Sequence, residues 1–230
     1  MAVSTTYDIS IGILALQGAF IEHEASIQRL NRRIRVIQVR TPEDLEKCDA
    51  LIIPGGESTT IALLARLSGL LEPLRLFIKT KPVWGTCAGA ILLSQSVIGA
   101  KKGGQELLGG MSIRIARNGW GSQVESFESP LETDGLHDAK KSFNGIFIRA
   151  PVILSLTNTT DDPPIQVVAR LPLDRVPQSL IEQAGDANKD DTTIVAVRQG
   201  LHFLTTFHPE LTKDDRFHEY FVRECVLGSR

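Results

Sequence analysis

The chain has 230 residues, 42% of them hydrophobic, which is enough apolar material for one buried α/β core and leaves no second catalytic domain to expect. Its 25 Lys and Arg are balanced by 27 Asp and Glu, for a formal net charge of -2 with both signs scattered, so neither nucleic acid nor an acidic membrane surface is implied as a partner. Three cysteines without metal-like spacing fit a reducing compartment, no apolar run approaches the roughly 18 residues of a membrane span, and residues 1–10 lack a leader pattern, so a cytoplasmic protein is expected.

Residues 9–16 read as a buried strand. Residues 20–32 set Phe20, Ile27 and Leu30 at helical spacing, with Glu22, Glu24 and Arg29 away from them, and predict an amphipathic helix. A strand follows at 34–39. Thr41-Pro42-Glu43-Asp44 then supplies a capping hydroxyl, proline at the first helical position and acid in the first turn, so a short helix begins there. Residues 50–53 form the third strand and run into Pro54-Gly55-Gly56-Glu57-Ser58-Thr59, after which 61–67 are helical until Gly69. Next comes a short apolar run, Pro82-Val83-Trp84. It leads through Gly85-Thr86-Cys87-Ala88-Gly89 into the helical run Ala90-Ile91-Leu92-Leu93. This alternation predicts a parallel sheet covered by helices.

The second half changes character. Strands are predicted at residues 111–116, 124–127, 146–149, 167–170, 193–198 and 202–207, the last two joined around Gln199-Gly200 as a hairpin that adds antiparallel strands. A helix starting within 212–215 and carrying Phe217, Phe221, Val222 and Cys225 packs back on the sheet. Residues 171–193, with Pro172, Pro177, Gly185 and Asn188-Lys189-Asp190-Asp191, are too long for an ordinary connection and are expected as a surface excursion. The fold class expected is α/β. It is a single domain over residues 1–230, with a three-layer, open, mixed but mostly parallel sheet flanked by helices.

The chemistry concentrates in three motifs. Two glycines bracketing Cys87 between a strand and a helix make a nucleophile elbow with cysteine in it, the counterpart of the Gly-x-Ser-x-Gly turn. The helix N-terminus favours the anionic sulfur. Cys48 and Cys225 have no such setting and read as packing residues. A nucleophile needs a base, and Phe207-His208-Pro209-Glu210 follows a strand-like run; in extended backbone, positions i and i+2 point the same way, so Glu210 can orient His208 toward the thiol. The order Cys, His, Glu differs from that of α/β-hydrolases. Gly55-Gly56-Glu57 offers backbone donors and a carboxylate at a strand C-terminus, the edge where open α/β sheets bind ligands. The N–H groups of Gly56 and Ala88 are the candidate oxyanion hole, worth about 3 to 4 kcal/mol per donor in other enzymes.

These residues resemble the triad-bearing class I glutamine amidotransferases, and within them the PdxT/SNO group, the glutaminase subunits of pyridoxal 5'-phosphate synthase. The resemblance runs through nearly the whole chain: Leu16-Gln17-Gly18 with Glu22-His23, the 54–59 and 85–89 motifs, Arg117-Asn118 with Gly121 and Gln123, Ser126-Phe127, Ile148-Arg149-Ala150-Pro151, and Phe207 through Thr212. Elbow and His-x-Glu define the superfamily; Arg117-Asn118, Ile148-Arg149-Ala150-Pro151 and the opening Leu-Gln-Gly select the vitamin B6 branch. The resemblance implies a flavodoxin-like sheet, Cys87 as nucleophile, His208 as general base and acid, and Glu210 as its orienting residue. It assigns glutamine binding to Gly55, Gly56, Glu57, Arg117, Ile148 and Arg149. Glu57 suits the α-ammonium of glutamine; for its α-carboxylate Arg117, Arg149 or the backbone at Ile148 and Arg149 are the choices. The implied reaction hydrolyses L-glutamine to glutamate and ammonia through a thioester. The implied partner is a dodecameric barrel enzyme, the pyridoxal 5'-phosphate synthase subunit, with Gln17 and residues 117–123 near the docking face. No cofactor is implied, and the histidines outside the triad, His23, His137, His202 and His218, show no metal-ligand spacing.

Two stretches depart from that pattern. Gly119-Trp120-Gly121-Ser122 stands where relatives often place a small residue, a phenylalanine and an arginine, and the 171–193 excursion, read as a solvated loop, exceeds their short connection. Three other readings use the same elbow. A glutaminase subunit of the histidine-biosynthesis type should lack Ile148-Arg149-Ala150-Pro151, a stand-alone γ-glutamyl hydrolase would need no partner, and a regulatory subunit would not need the intact Cys87, His208 and Glu210 set.

Overall fold

Short, almost wholly apolar segments form the centre of the molecule. The computed structural model describes residues 9–30, 33–100, 103–117, 119–120, 126–138, 140–177, 182 and 186–228. In chain order come β1 (Ile9–Leu14), α1 (Phe20–Leu30), β2 (Ile34–Val39), α2 (Pro42–Glu46), β3 (Ala50–Ile53), α3 (Ser58–Leu67), α4 (Leu71–Ile78), β4 (Val83–Thr86) and α5 (Ala88–Leu93). The second half gives β5 (Ser94–Ile98), β6 (Met111–Ala116), β7 (Ser126–Thr133), β8 (Phe143–Ile148), β9 (Val152–Leu156), β10 (Ile165–Arg170), β11 (Ile194–Gln199), β12 (His202–Thr205) and α6 (Arg216–Tyr220). The last continues as a π-helical segment, Phe221–Leu227. Among the described residues no helix is long and apolar enough to cross a membrane.

Two sheets result. The larger runs β2-β1-β3-β4-β12-β11-β10-β7-β8, and the smaller β5-β6-β9. From β2 to β12 the neighbours are parallel; β11, β10, β7 and β8 add antiparallel strands, the first through the expected hairpin at Gln199-Gly200. β3 and β4 are buried along their whole length, as parallel strands covered on both faces must be. Alternation sorts their side chains. Ile52, Trp84 and Phe203 pack under α1 and the C-terminal helix with Ile27, Phe217 and Phe221. Leu51, Ile53, Val83 and Leu204 face the other way, onto α3, α4, α5 and the small sheet with Ile61, Leu74, Ile91 and Ile113. The architecture is thus α/β, with helices on both faces of a mixed sheet.

One topological fact makes the site. β12 enters the centre of the sheet beside β4, with Leu204 opposite Gly85 and Thr205 opposite Thr86. The strands run the same way, so the residues after each emerge side by side, and β3 delivers its own loop from the other flank of β4.

Some boundaries and elements differ from the sequence expectations. The 124–127 strand is observed as β7, Ser126–Thr133, and residues 124–125 lie outside the described residues. α4, β5 and β9 are additional. α4 carries its signal in Leu71, Leu74 and Ile78, buried at helical spacing, whereas β5 starts with polar Ser94-Gln95-Ser96 directly at the end of α5 and has no apolar period to reveal it. The C-terminal helix begins at Arg216, past the 212–215 start. The 171–193 segment is closed at its base by the Leu171 N–H donating to the Thr193 carbonyl at 2.8 Å. Asp191 of its acidic run accepts from the Leu156 N–H at 3.2 Å and the Asp190 carbonyl accepts from Arg170 at 2.8 Å, so this end is tied to β9 and β10 rather than merely solvated. Residues 178–181 and 183–185 of the excursion are outside the described residues.

Candidate active site

The elbow is strained at Cys87. Cys87 has φ 49° and ψ -101°, a conformation that side chains rarely adopt and that survives only where surrounding packing enforces it. The enforcement is close approach: a Cβ on Gly89 would lie 2.1 Å from the Ile53 carbonyl oxygen, so glycine lets α5 press against β3. The Cys87 N–H donates to the Thr205 carbonyl at 2.9 Å, which ties the turn to β12. Its thiol points at the Ile148 carbonyl, 4.0 Å away. Cys48 and Cys225 are also buried, but burial pushes both thiols up to about 12, as inert packing residues require.

His208 and Glu210 follow β12 directly. His208 Nδ1 and Glu210 Oε1 are 2.7 Å apart, and the Glu210 side chain is fully buried. The pair forms as expected from the sequence, by a different backbone route. Pro209–Leu211 is a 3-10 turn, not a strand, and His208 has ψ 81°; proline starts the turn and the His208 N–H is anchored on the Ile146 carbonyl at 2.8 Å. Gly55 leaves room for the imidazole: a Cβ there would stand 2.4 Å from His208 Cε1 and 3.3 Å from Cys87 Cβ, so the β3 loop, elbow and base meet at one point. Burial alone would lower the His208 pKa, but hydrogen bonds to Cys87 and Glu210 push it up to about 10. Both neighbours therefore favour the protonated imidazole over the neutral one. Burial also works against a charge on Glu210, and the hydrogen bond and charge of His208 help hold this carboxyl below its usual range.

The glutamine-binding candidates gather on the same edge. Glu57 caps α3, accepting from the Thr60 N–H and hydroxyl, each at 2.8 Å, and from the Thr59 hydroxyl. Its other oxygen accepts from Arg117 at 2.8 Å. Burial opposes this charge, yet these hydrogen bonds hold the carboxyl well below the carboxylate range, so Glu57 is a fixed anion. Arg117 also donates to Gln105 Oε1 at 2.7 Å, and that oxygen accepts from Ser58 at 2.7 Å. The Glu57 N–H donates to Gln17 at 2.8 Å, and the same Gln17 amide packs against Gly56. Ala88 opens α5, where first-turn N–H groups have no intrahelical acceptor. Ile148 ends β8 with its carbonyl toward Cys87, and Arg149 beside it is exposed with φ 42°. The ten sequence-derived positions thus follow or end β3, β4, β8 and β12 of the large sheet, with Ala88 opening α5 and Arg117 reaching in from the end of β6 in the small sheet. Gln105 and Ser58 are additions; Gln105 sits among glycines in a stretch with no motif to single it out. Of the 117–123 stretch, Trp120 is buried against Phe127 and Phe147, while Asn118 and residues 121–123 lie outside the described residues.

Fold and geometry together are those of an open α/β sheet that gathers a Cys, a His and a Glu at its strand ends. Comparison with known proteins narrows the class: residues 13–227 match the SNO glutamine amidotransferase family, and the chain belongs to it. It is 42% identical over 224 residues to a protein of Arabidopsis thaliana named probable pyridoxal 5'-phosphate synthase subunit PDX2, covering 94% of this chain and 85% of that one. It is 44% identical over 215 residues to the pyridoxal 5'-phosphate synthase subunit PdxT of Herpetosiphon aurantiacus, covering 93% of this chain and 99% of the relative. Among solved structures, a crystal structure of a glutamine amidotransferase superposes with a TM-score of 0.72 at 40% identity, over 93% of this chain and 97% of the other. PurLQS of Thermotoga maritima shares the fold alone, with a TM-score of 0.59 at 12% identity, over 93% of this chain and 97% of that one.

Proposed function

We propose that the chain, acting as one domain over residues 1–230, hydrolyses the side-chain amide of L-glutamine and passes the ammonia to a separate pyridoxal 5'-phosphate synthase subunit. The observation that carries the chemistry is the convergence of a strained Cys87 with a His208 that is held 2.7 Å from buried Glu210. The relatives named as synthase subunits support the assignment of the acceptor.

The reaction divides into two acyl transfers. The Cys87 sulfur attacks the amide carbon, and the negative oxygen is received by the N–H groups of Gly56 and Ala88. His208 gives its proton to the departing nitrogen, the C–N bond breaks, and ammonia leaves a glutamyl thioester on Cys87. Neutral His208 then takes a proton from water as the hydroxyl adds to the thioester, and glutamate leaves with the sulfur restored. Glu210 keeps the imidazole oriented through both steps. Glu57 and Arg117 hold each other in place until the substrate arrives; its α-ammonium then shares the Glu57 carboxylate, and its α-carboxylate takes Arg117 or the backbone at Ile148 and Arg149. No cofactor is needed. Ammonia released to bulk water would be protonated and lost to synthesis, which is the chemical reason for a docked acceptor. The acceptor is a dodecameric barrel enzyme in this reading, and both work in the cytoplasm.

The reading is tested with glutamine labelled with 15N in its amide, supplied to this chain and a synthase subunit in excess unlabelled ammonium. Retention of 15N in the pyridoxal 5'-phosphate formed is expected. Dilution of the label to the level of the bulk pool would contradict direct transfer.

A further inference from the structure

Glu210 has two oxygens, and His208 occupies only one. Among the described residues its Oε2 is buried without a hydrogen-bond partner, and His23 Nε2 lies 3.5 Å from it. The same His23 nitrogen is 3.2 Å from the Thr86 hydroxyl, next to Cys87 in the elbow. His23 Nδ1 in turn meets His218 Nε2 at 2.9 Å. Both imidazoles are fully buried, edge-on to Trp84 at 5.4 Å and 4.8 Å, in a core otherwise filled by Phe203, Phe217 and Phe221.

The protons can be assigned from the partners. Among the described residues His218 Nδ1 is buried without a partner, and an unpaired lone pair is tolerated better than an orphaned N–H, so the His218 proton sits on Nε2 and is donated to His23. His23 must then carry its own proton on Nε2, directed between Glu210 and Thr86. We infer that His23, fixed in this tautomer by His218, is a positioning residue for the glutaminase reaction that holds the free oxygen of Glu210 and ties the base to the elbow. This rests on the triad proposed above. Burial holds both imidazoles far below their ordinary pKa, at about 3, so the arrangement stays neutral. Apart from Glu210 and His208, the charge felt here is that of Arg29 near His218, itself locked by Asp215 at 2.6 Å.

A purely structural role would want shape, not protons, and this separates the two. Glutamine hydrolysis is measured against pH for the wild type, His23→Leu and His23→Gln, alone and with the synthase subunit, with folding followed by near-UV circular dichroism. His23→Leu should lower kcat about 10- to 100-fold at little changed KM, the effect of a buried carboxylate oxygen losing its donor. Its acid limb should move up by about half to one pH unit, since Glu210 then takes a proton sooner. His23→Gln, which keeps an N–H, should recover most of both. A folded His23→Leu with wild-type kcat and an unmoved limb overturns the inference. If that variant does not fold, His218→Phe and His218→Gln decide: loss in the first and recovery in the second support it, and equal profiles overturn it. Glu210→Gln separates the two readings. Full activity there would sink the triad itself, whereas loss in Glu210→Gln without loss in His23→Leu would sink only the role of His23.

Discussion

Replacing Gly55 by alanine tests whether the β3 loop, the elbow and the base really converge. The added Cβ would stand 2.4 Å from His208 Cε1 and 3.0 Å from Nδ1, where ordinary contact begins at 3.4 Å, so the ring must recede by the difference, about 1 Å. It cannot do so freely. Nδ1 is held on Glu210 at 2.7 Å and the His208 N–H on Ile146 at 2.8 Å, while the added Cβ itself would also stand 3.3 Å from Cys87 Cβ. Displacement of a reacting group by about 1 Å costs on the order of a hundredfold in rate, and overpacking a rigid site costs about 1–3 kcal/mol of stability. Gly55→Ala should therefore fold, unfold at lower urea, and lose about a hundredfold in kcat for glutamate release, more than it loses in KM. A folded Gly55→Ala within threefold of wild-type kcat, taken as roughly the noise of such rates, would refute the placement of His208 against this loop.

Acid should destabilise the fold through its buried histidines. Burial holds His23 and His218 at about 3 and His202 at about 4, below the ordinary 6.5, so the unfolded chain binds more protons as pH falls below 6.5. Between pH 7.5 and 5 each loses about 2 kcal/mol, while His208, raised to about 10, gains about 1.4 kcal/mol, for a net loss of about 4.5 kcal/mol. Urea unfolding at the two pH values measures it, and a flat response would contradict neutral burial. Arg117→Met should raise KM for glutamine about tenfold or more while leaving kcat within a few-fold, because it removes Glu57's partner and a candidate carboxylate contact rather than the reacting groups; an unchanged KM would remove Arg117 from the site. Iodoacetamide followed by peptide mass analysis should label Cys87 ahead of Cys48 and Cys225, and glutamine should protect it; equal labelling of all three would argue against an activated thiol.

The candidate site residues were more legible in the sequence than their setting. Cys87 between two glycines declares itself because a strand-to-helix elbow tolerates few other residues there, and His208 with Glu210 declares itself because the pair is local in the chain. Even so, locality misled about geometry, since Pro209 puts the two on a 3-10 turn and the contact survives only because a turn also brings i and i+2 together. Pairings between distant segments left no trace. Arg117 meets Glu57 across 60 residues and His23 meets His218 across 195, and nothing in the local pattern of either pair specifies the other. The first half of the sheet was readable because each strand there is a separate apolar run followed by a helical period. β5 and the acidic 186–193 segment were not, because polar residues in them are held by partners elsewhere in the fold rather than by their own periodicity.

Glutamate release from glutamine by the purified chain tests the central claim most directly, measured alone and with a pyridoxal 5'-phosphate synthase subunit, with Cys87→Ala beside it. The account predicts turnover that the synthase strongly stimulates and the substitution abolishes. Turnover indifferent to the synthase, or undiminished in Cys87→Ala, would contradict it.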